Sequence, residues 1–256
     1  YYLRYAIFPF LQFGKALANN RPELGILQYR DGILKKAVYA LLYQTDKNGL
    51  FFPLNDSQKG MSSNAREVIV AVDLAYQHYG KDPMLLSVAE KQGKVILDEA
   101  GFMVARDLAK GLAQPMQQKS IAYKDGADGK QGGVAILRNN TAVDNELCLV
   151  MKYSEQGMGH GHFDKLGYLL YDKDGEAIQD YGAARWVNID QKAGGRYLPE
   201  NKTWAKQTIA HNTLVVDRVS HFKGKYKFAN EKHSDARFFA TIAPNLVAAS
   251  ASDINA

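Results

Sequence analysis

Apolar residues recur every three to four positions through the first part of the chain, the spacing of amphipathic helices. Leu3, Ile7, Phe10, Leu11, Gly14 and Leu17 share one helical face, and Pro9 should kink or interrupt that helix. A second helix runs through Ile33, Leu34, Ala37, Val38, Leu41 and Leu42. Asn64 with Glu67 reads as a capping box for a third helix, which carries Val68, Val72, Ala75, Tyr76 and Tyr79 and stops at Gly80. Asp82 followed by Pro83 pairs an N-cap with proline at the first helical position, opening a fourth helix through Met84, Leu85, Val88 and Ala89. A fifth spans Val104 to Leu112 and ends before Pro115.

The period changes after Pro115. Gly133–Leu137, Leu147–Tyr153, Leu166–Tyr171 and Thr213–Val216 are short runs rich in β-branched, aromatic or aliphatic residues and read as strands. Asp174-Gly175, between Tyr168–Tyr171 and Ala177-Ile178, signals a hairpin, and Asp125–Gly129 a turn-rich connector. Helices followed by strands imply separate layers or domains rather than a βαβ fold. The expected class is therefore α+β and multidomain, with a helical domain over residues 1–117 and a sheet domain over 118–256. Successive helices of similar length suit an α/α toroid, although five helices do not establish one.

Composition narrows this little. The 256 residues, 46 % hydrophobic and 23 % charged, are ordinary for a globular protein and sufficient for two modest domains. The net charge of +5 comes without a dense Lys/Arg run, which speaks against a nucleic-acid arm and is compatible with an acidic polysaccharide. The 15 tyrosines suit sugar stacking and plain β-sheet alike. Cys148 lies in the apolar run Leu147–Val150 and is expected as a buried thiol, with no intrachain disulfide available to the only cysteine. No run approaches the ~20 apolar residues of a membrane-spanning helix. The chain opens on Tyr1 without Met and ends within a sheet-like run, so both ends read as cut, and an export signal is expected upstream.

The densest chemistry lies in Gly157-Met158-Gly159-His160-Gly161-His162-Phe163-Asp164. Its glycines permit positive φ and close approach to a ligand. His162, Asp180 and His211 together would make a zinc set of two imidazoles and a carboxylate. Three such residues scattered along a chain are ordinarily unrelated. The hairpin register does not bring them together, because it sets Asp180 across from about Leu169. A second group is tyrosine with arginine: Tyr1, Tyr2, Arg4 and Tyr5, then Arg185, Arg196 and Tyr197. Tyr can serve as base beside cations and as acid when protonated, the two roles that β-elimination from a uronate requires. Each tyrosine taken singly reads more readily as a packed aromatic with a bonded hydroxyl.

Three long stretches, Gln156–Leu166, Asp180–Arg185 and Asn201–Val216, resemble polysaccharide lyase family 17, the oligoalginate lyases of heparinase II/III-like architecture. Tyr1–Ala6 and Leu50–Asp56 resemble that family's helical domain, so the likeness covers essentially the whole chain. The resemblance implies a partial α/α toroid followed by an antiparallel β-sandwich. It implies exolytic cleavage of alginate by β-elimination, releasing an unsaturated uronate. By the same resemblance Tyr5 and Tyr197 match catalytic tyrosines, His160 and Arg185 match sugar-contacting positions, and His162, Asp180 and His211 match the ligands of a structural zinc. The family's upstream Asn-His pair would precede Tyr1, so this stretch alone is expected to be weakly active or inactive. The implied partner is an acidic polysaccharide in the periplasm or outside the cell, without nucleic acid or membrane, and with a homodimer left open. A heparinase-like lyase on another uronate polymer, a zinc-stabilised carbohydrate-binding protein and a metal-dependent jelly-roll enzyme are the competing readings; the last leaves the helical half unexplained.

Overall fold

The computed structural model describes residues 2–126, 131–139, 147–154, 158–183, 199–232, 238–241, 246–251 and 254. The chain forms two compact units, one of residues 1–52 and 60–117, the other of residues 53–59 and 118–256.

The first unit holds helices α1 (Leu3–Asn20), α2 (Tyr29–Tyr43), α3 (Arg66–His78), α4 (Pro83–Gln92) and α5 (Glu99–Ala109). Every residue of α3 from Val68 to Tyr76 is buried, and each of the other helices packs against it. A helix that is apolar nearly all round becomes the axis of its unit, while amphipathic neighbours cover it with one stripe each. Ile7 and Leu11 of α1, Val38, Leu41 and Leu42 of α2, Leu85 and Leu86 of α4 and Val104 of α5 supply those stripes. Each such side chain contributes about 2 kcal/mol by leaving water.

Helix α1 runs through Pro9 without the interruption that proline can cause. Proline removes one ladder bond, and the buried face of Ile7, Leu11 and Gly14 holds the turns on both sides of it. Regular α2 begins at Ile33, because Arg30, Asp31 and Gly32 take left-handed backbone angles. The Asn64–Glu67 capping box does not form; Ala65 is the N-cap of α3 and carries no side-chain cap bond. Asp82 does cap α4, accepting from Met84 N at 2.9 Å. Helix α5 starts well before Val104, since the Asp98 carboxylate accepts from Ala100 N at 2.9 Å and Gly101 N at 3.1 Å and also pairs with Lys15 Nζ at 2.7 Å. A Cβ on Gly101 would lie 1.8 Å from the Ile96 carbonyl oxygen, so only glycine admits this entry into the helix.

One buried carboxylate is poorly compensated. Asp73 on α3 is fully buried; its Oδ2 accepts from Ile96 N at 2.7 Å, while its Oδ1 has no partner among the described residues. Burial, with help from nearby Asp98, pushes its pKa up to about 6. The folded state thus keeps a proton that the unfolded chain releases near 3.8, and stability falls as pH rises between these values. Asp73→Asn should therefore raise stability above pH 7 by about 2 kcal/mol and flatten its pH dependence between about 4 and 6. Thermal melts across that range measure it, and a lower midpoint for the variant at pH 8 would refute it.

The second unit carries an antiparallel five-stranded sheet in chain order: β1 (Ile121–Lys124), β2 (Gly133–Asn139), β3 (Leu147–Lys152), β4 (Gly167–Asp172) and β5 (Gly175–Ile178). A second sheet pairs β6 (Phe238–Thr241) with β7 (Val247–Ala249). This unit also carries the short helices α6 (Pro199–Lys202) and α7 (Tyr226–Lys232). Alternation buries Cys148, Val150 and Lys152 on one face of β3 and Gly167, Leu169 and Tyr171 on β4. Cys148 is a buried thiol outside any disulfide.

The β4–β5 turn pairs Asp172 with Gly175, and Asp172 Oδ1 accepts from Asp174 N at 2.8 Å and Gly175 N at 3.1 Å. A bulge then shifts the register, so that Tyr171 faces Glu176 while Leu170 faces Ile178. Strand β5 ends at Ile178, and Asp180 is not paired across from Leu169. Thr213–Val216 is not a strand; Val216 forms an isolated bridge with Val219, and Leu214 and Val216 are exposed. A β-prone run without a neighbouring strand has nothing to complete its ladder.

Residues 53–59, expected with the helical domain, group with the second unit instead. Three main-chain contacts hold them there: a bridge from Gln58 to Gly182, Ala183 N donating to Ser57 O at 3.1 Å, and Asp56 N donating to His160 O at 3.2 Å. Gly182 has φ +65, and a Cβ on it would stand 2.1 Å from Ser57 O.

Candidate active site

The Gly-His-Gly-His segment lies between β3 and β4, with Met158–His160 forming one 3-10 turn. Phe163 fastens its far end. The Phe163 ring is fully buried against Tyr226 with centroids 5.1 Å apart, its N donates to Lys206 O at 2.9 Å, and its carbonyl accepts from Thr208 Oγ1 at 2.5 Å. The Ala-His-Asn-Thr segment is fixed just as firmly. Asn212 accepts from Tyr168 N at 3.2 Å and donates through Nδ2 to Gln179 O at 2.8 Å, and Thr213 Oγ1 donates to Lys165 O. These bonds explain why two segments some fifty residues apart meet.

Two buried networks result. In the first, the Asp56 carboxylate is surrounded by donors: His162 Nε2 lies 2.9 Å from Oδ1, and His160 Nδ1 at 3.0 Å and Lys206 Nζ at 2.8 Å both meet Oδ2. Lys206 also donates to Gly159 O at 3.0 Å. Burial alone would raise the Asp56 pKa, but the bonds from His162 and Lys206 outweigh it and hold the group down at about 2. Burial pushes the His162 pKa down and so favours its neutral imidazole.

In the second network, His211 packs 5.0 Å from His162, centroid to centroid, and its Nδ1 lies 2.8 Å from Asp180 Oδ2. Burial works against the charged imidazole of His211, but the Asp180 contact outweighs it and raises its pKa. Asp164 is buried beside them and pairs with Lys152, which also donates to Asn55. Burial would raise the Asp164 pKa; Lys152 and the two histidines bring it below the ordinary carboxylate value. Ligand-capable atoms of His162, Asp164 and His211 all lie within 4.8 Å of one another. His162 Nδ1 and His211 Nε2 are buried and have no hydrogen-bond partner among the described residues. Tyr181 stacks on His211 at 5.7 Å and donates through its hydroxyl to Ala205 O at 2.5 Å.

The structure thus brings together His160, His162, Asp180 and His211 of the residues singled out from sequence. Asp180 meets His211 at Nδ1, and the carboxylate grouped with both imidazoles is Asp164. Tyr5 belongs to the first unit, is half exposed, and has the Arg4 guanidinium over its ring at 4.3 Å and donating to its hydroxyl. Buried Arg4 in turn pairs with Glu67 at 3.4 Å. Tyr197 and Arg185 lie outside the described residues. Sequence reasoning missed Asp56, Lys152 and Lys206 as members of the site. Asp56 does fall in the Leu50–Asp56 stretch that carried a resemblance, but nothing local marks it as a partner of histidines more than a hundred residues away.

Residues 122–251, just over half of the chain, match the model of the heparinase II/III-like C-terminal domain. The chain belongs to the heparinase II/III-like family. An exo-oligoalginate lyase of Saccharophagus degradans is 47 % identical over 93 % of this chain and 32 % of its own length. An alginate lyase of Stenotrophomonas maltophilia is 46 % identical over 97 % of this chain and 33 % of its own. The chain therefore spans about a third of the length of these curated relatives. Among solved structures, the heparan sulfate lyase HepC from Pedobacter heparinus superposes with a TM-score of 0.57 at 16 % identity, covering 88 % of this chain and 30 % of that one. A crystal structure of heparinase III gives 0.54 at 15 % identity, covering 86 % and 32 %. At such identities the likeness concerns the fold, and the α+β plan of helices followed by antiparallel sheet is that of these heparinase II/III-like enzymes. No helix among the described residues is long and apolar enough to cross a membrane.

Proposed function

We propose that this chain is part of an alginate lyase that shortens uronic acid chains by β-elimination from their ends, releasing an unsaturated uronate. The observation that carries this reading is the identity of 46 to 47 % across nearly the whole chain to two relatives named for that activity. In the reaction a base takes the proton α to the uronate carboxylate, the electron pair forms the new carbon–carbon double bond, and the glycosidic C–O bond breaks as its oxygen gains a proton. Tyr197 is proposed as the acid, and as the base where proton and leaving oxygen share a face. Tyr5, with a cation donating to its oxygen, is proposed as the second catalytic phenol. His160 and Arg185 are proposed to bind the sugar. In this reading His160 owes its place to Asp56, which holds its Nδ1 and leaves Nε2 as its other polar atom.

Zinc is proposed as a structural cofactor. The residues fit it: two buried imidazoles with unpartnered nitrogens stand beside two carboxylates, a donor set of the kind zinc takes. His162 and His211 would hold the ion with Asp180, the carboxylate ligand expected from sequence, which here meets His211 Nδ1, while Asp164 lies within reach of both imidazoles. Bound there, the metal supplies positive charge that pins the two histidine segments together. We further propose a periplasmic or secreted location, where the polymer would be met.

Full-length protein incubated with oligo-mannuronate, oligo-guluronate and heparin, followed by ultraviolet absorbance of the new double bond, tests the reading. The expected result is absorbance growth with alginate oligomers only. Growth with heparin alone would replace the substrate, and sugar binding without growth would make the protein a binding module.

A further inference from the structure

The loop of residues 53–59 contributes one acid to the second unit, and its surroundings leave little choice of role. A carboxylate can only accept hydrogen bonds, so each imidazole nitrogen facing Asp56 carries the proton. For His162 that nitrogen is Nε2, 2.9 Å away. The ring is 1 % exposed, and its Nδ1 has no acceptor among the described residues, so a proton there would be a buried orphan. One tautomer remains, with hydrogen on Nε2 and a lone pair on Nδ1. The same carboxylate meets Nδ1 of His160, and Lys206, 4 % exposed at its side chain, anchors it through Nζ at 2.8 Å.

We propose that Asp56 is the positioning residue of the Gly-His-Gly-His segment: it fixes the His162 tautomer so that Nδ1 is the nitrogen offered to a metal, and it sets the ring of His160 through the other oxygen. One loop acid thereby couples metal affinity to sugar affinity. Hydrogen-bonded carboxylates behind metal-binding histidines orient the ring and raise its basicity, and their loss weakens binding about 10- to 100-fold. The metal part of this inference rests on the zinc reading above.

The test compares full-length protein with its Asp56→Asn and Asp56→Glu variants, using zinc affinity by chelator competition, KM and kcat on alginate oligomers, and the melting midpoint of the metal-free form. Asp56→Asn is expected to lose zinc affinity about 10- to 100-fold and to raise KM more than it lowers kcat, with Asp56→Glu recovering part of both. Zinc affinity within threefold of the unsubstituted protein would overturn the proposal. Should Asp56→Asn fail to fold, histidine-selective 15N spectra of the unsubstituted metal-free protein decide it, with His162 assigned by loss of its signals in His162→Gln. Protonated Nε2 with unprotonated Nδ1 supports the proposal, and protonated Nδ1 overturns it. If the unsubstituted protein binds no zinc, the zinc reading fails, and the same 15N spectra still decide whether Asp56 fixes the ring.

Discussion

Tyr197→Phe in the full-length protein is expected to lower the rate of double-bond formation about 10²- to 10⁴-fold, the range supplied by a positioned acid–base group. The substitution removes one oxygen and keeps the ring, so packing changes little while the proton that the departing glycosidic oxygen needs is gone. Zinc content should not change, because no zinc ligand proposed for the site is touched. Ultraviolet kinetics with saturating alginate oligomers, read beside metal analysis of the same sample, give both numbers. Activity within tenfold of the unsubstituted protein would remove Tyr197 from the mechanism and leave Tyr5, on the first unit beside Arg4, as the phenol to test next.

Lys206→Met should cost about 3–5 kcal/mol of stability, because it leaves Asp56 buried without its strongest cationic partner. Side-chain exposures of 4 % for Lys206 and 2 % for Asp56 mean that water cannot take the place of the ammonium. The sign of the pH dependence follows from the Asp56 pKa, held at about 2 against 3.8 for a free aspartate. A depressed carboxylate contributes stability that is fully present above 3.8 and fades as pH falls through about 2. The gap between Lys206→Met and the unsubstituted protein should therefore be largest near neutral pH and narrow in acid. Asp56→Asn combined with Lys206→Met should cost less than the two single changes added together, since the pair shares one interaction. Urea unfolding monitored in the sheet unit measures these values. A loss below 1 kcal/mol for Lys206→Met at pH 7 would mean that the pair is worth no more than an exposed one.

Much of this architecture is legible in the residues themselves. Ile7, Leu11 and Gly14 of α1, Val38, Leu41 and Leu42 of α2 and Leu85, Val88 and Ala89 of α4 are buried where the 3.6-residue period puts them, while Leu3, Phe10 and Ile33 on the same expected faces are exposed; Asp82-Pro83 opens α4 because cap and proline act within one turn. The runs that became β2, β3 and β4, and the tight turn after β4, are equally local signals. Where local signals compete with distant ones, they lose. Asn64 and Glu67 have capping chemistry, but α3 begins at Arg66 with Ala65 as its N-cap, two residues before its buried run starts at Val68. Helix α5 starts early because Asp98 caps it and Lys15 from α1 supports that acid. Thr213–Val216 has the composition of a strand, yet its first residue, Thr213, anchors the segment after His211 to Lys165.

The candidate site divides along the same line. Chemistry-bearing residues and their motifs were readable: His160, His162, Asp180 and His211 stand out by type, and by resemblance to a lyase family they acquired roles. Which of them meet, and through which atoms, was decided only by the folded chain. The β4–β5 bulge and the end of β5 at Ile178 release Asp180 from strand register so that it can reach His211. Loop 53–59 delivers Asp56 to histidines over a hundred residues away. Side-chain type is written residue by residue, and periodicity reports contacts within a few positions. The partner of a buried charge is chosen by long-range packing, because only there is the cost of burying it unpaired large enough to select one neighbour over another.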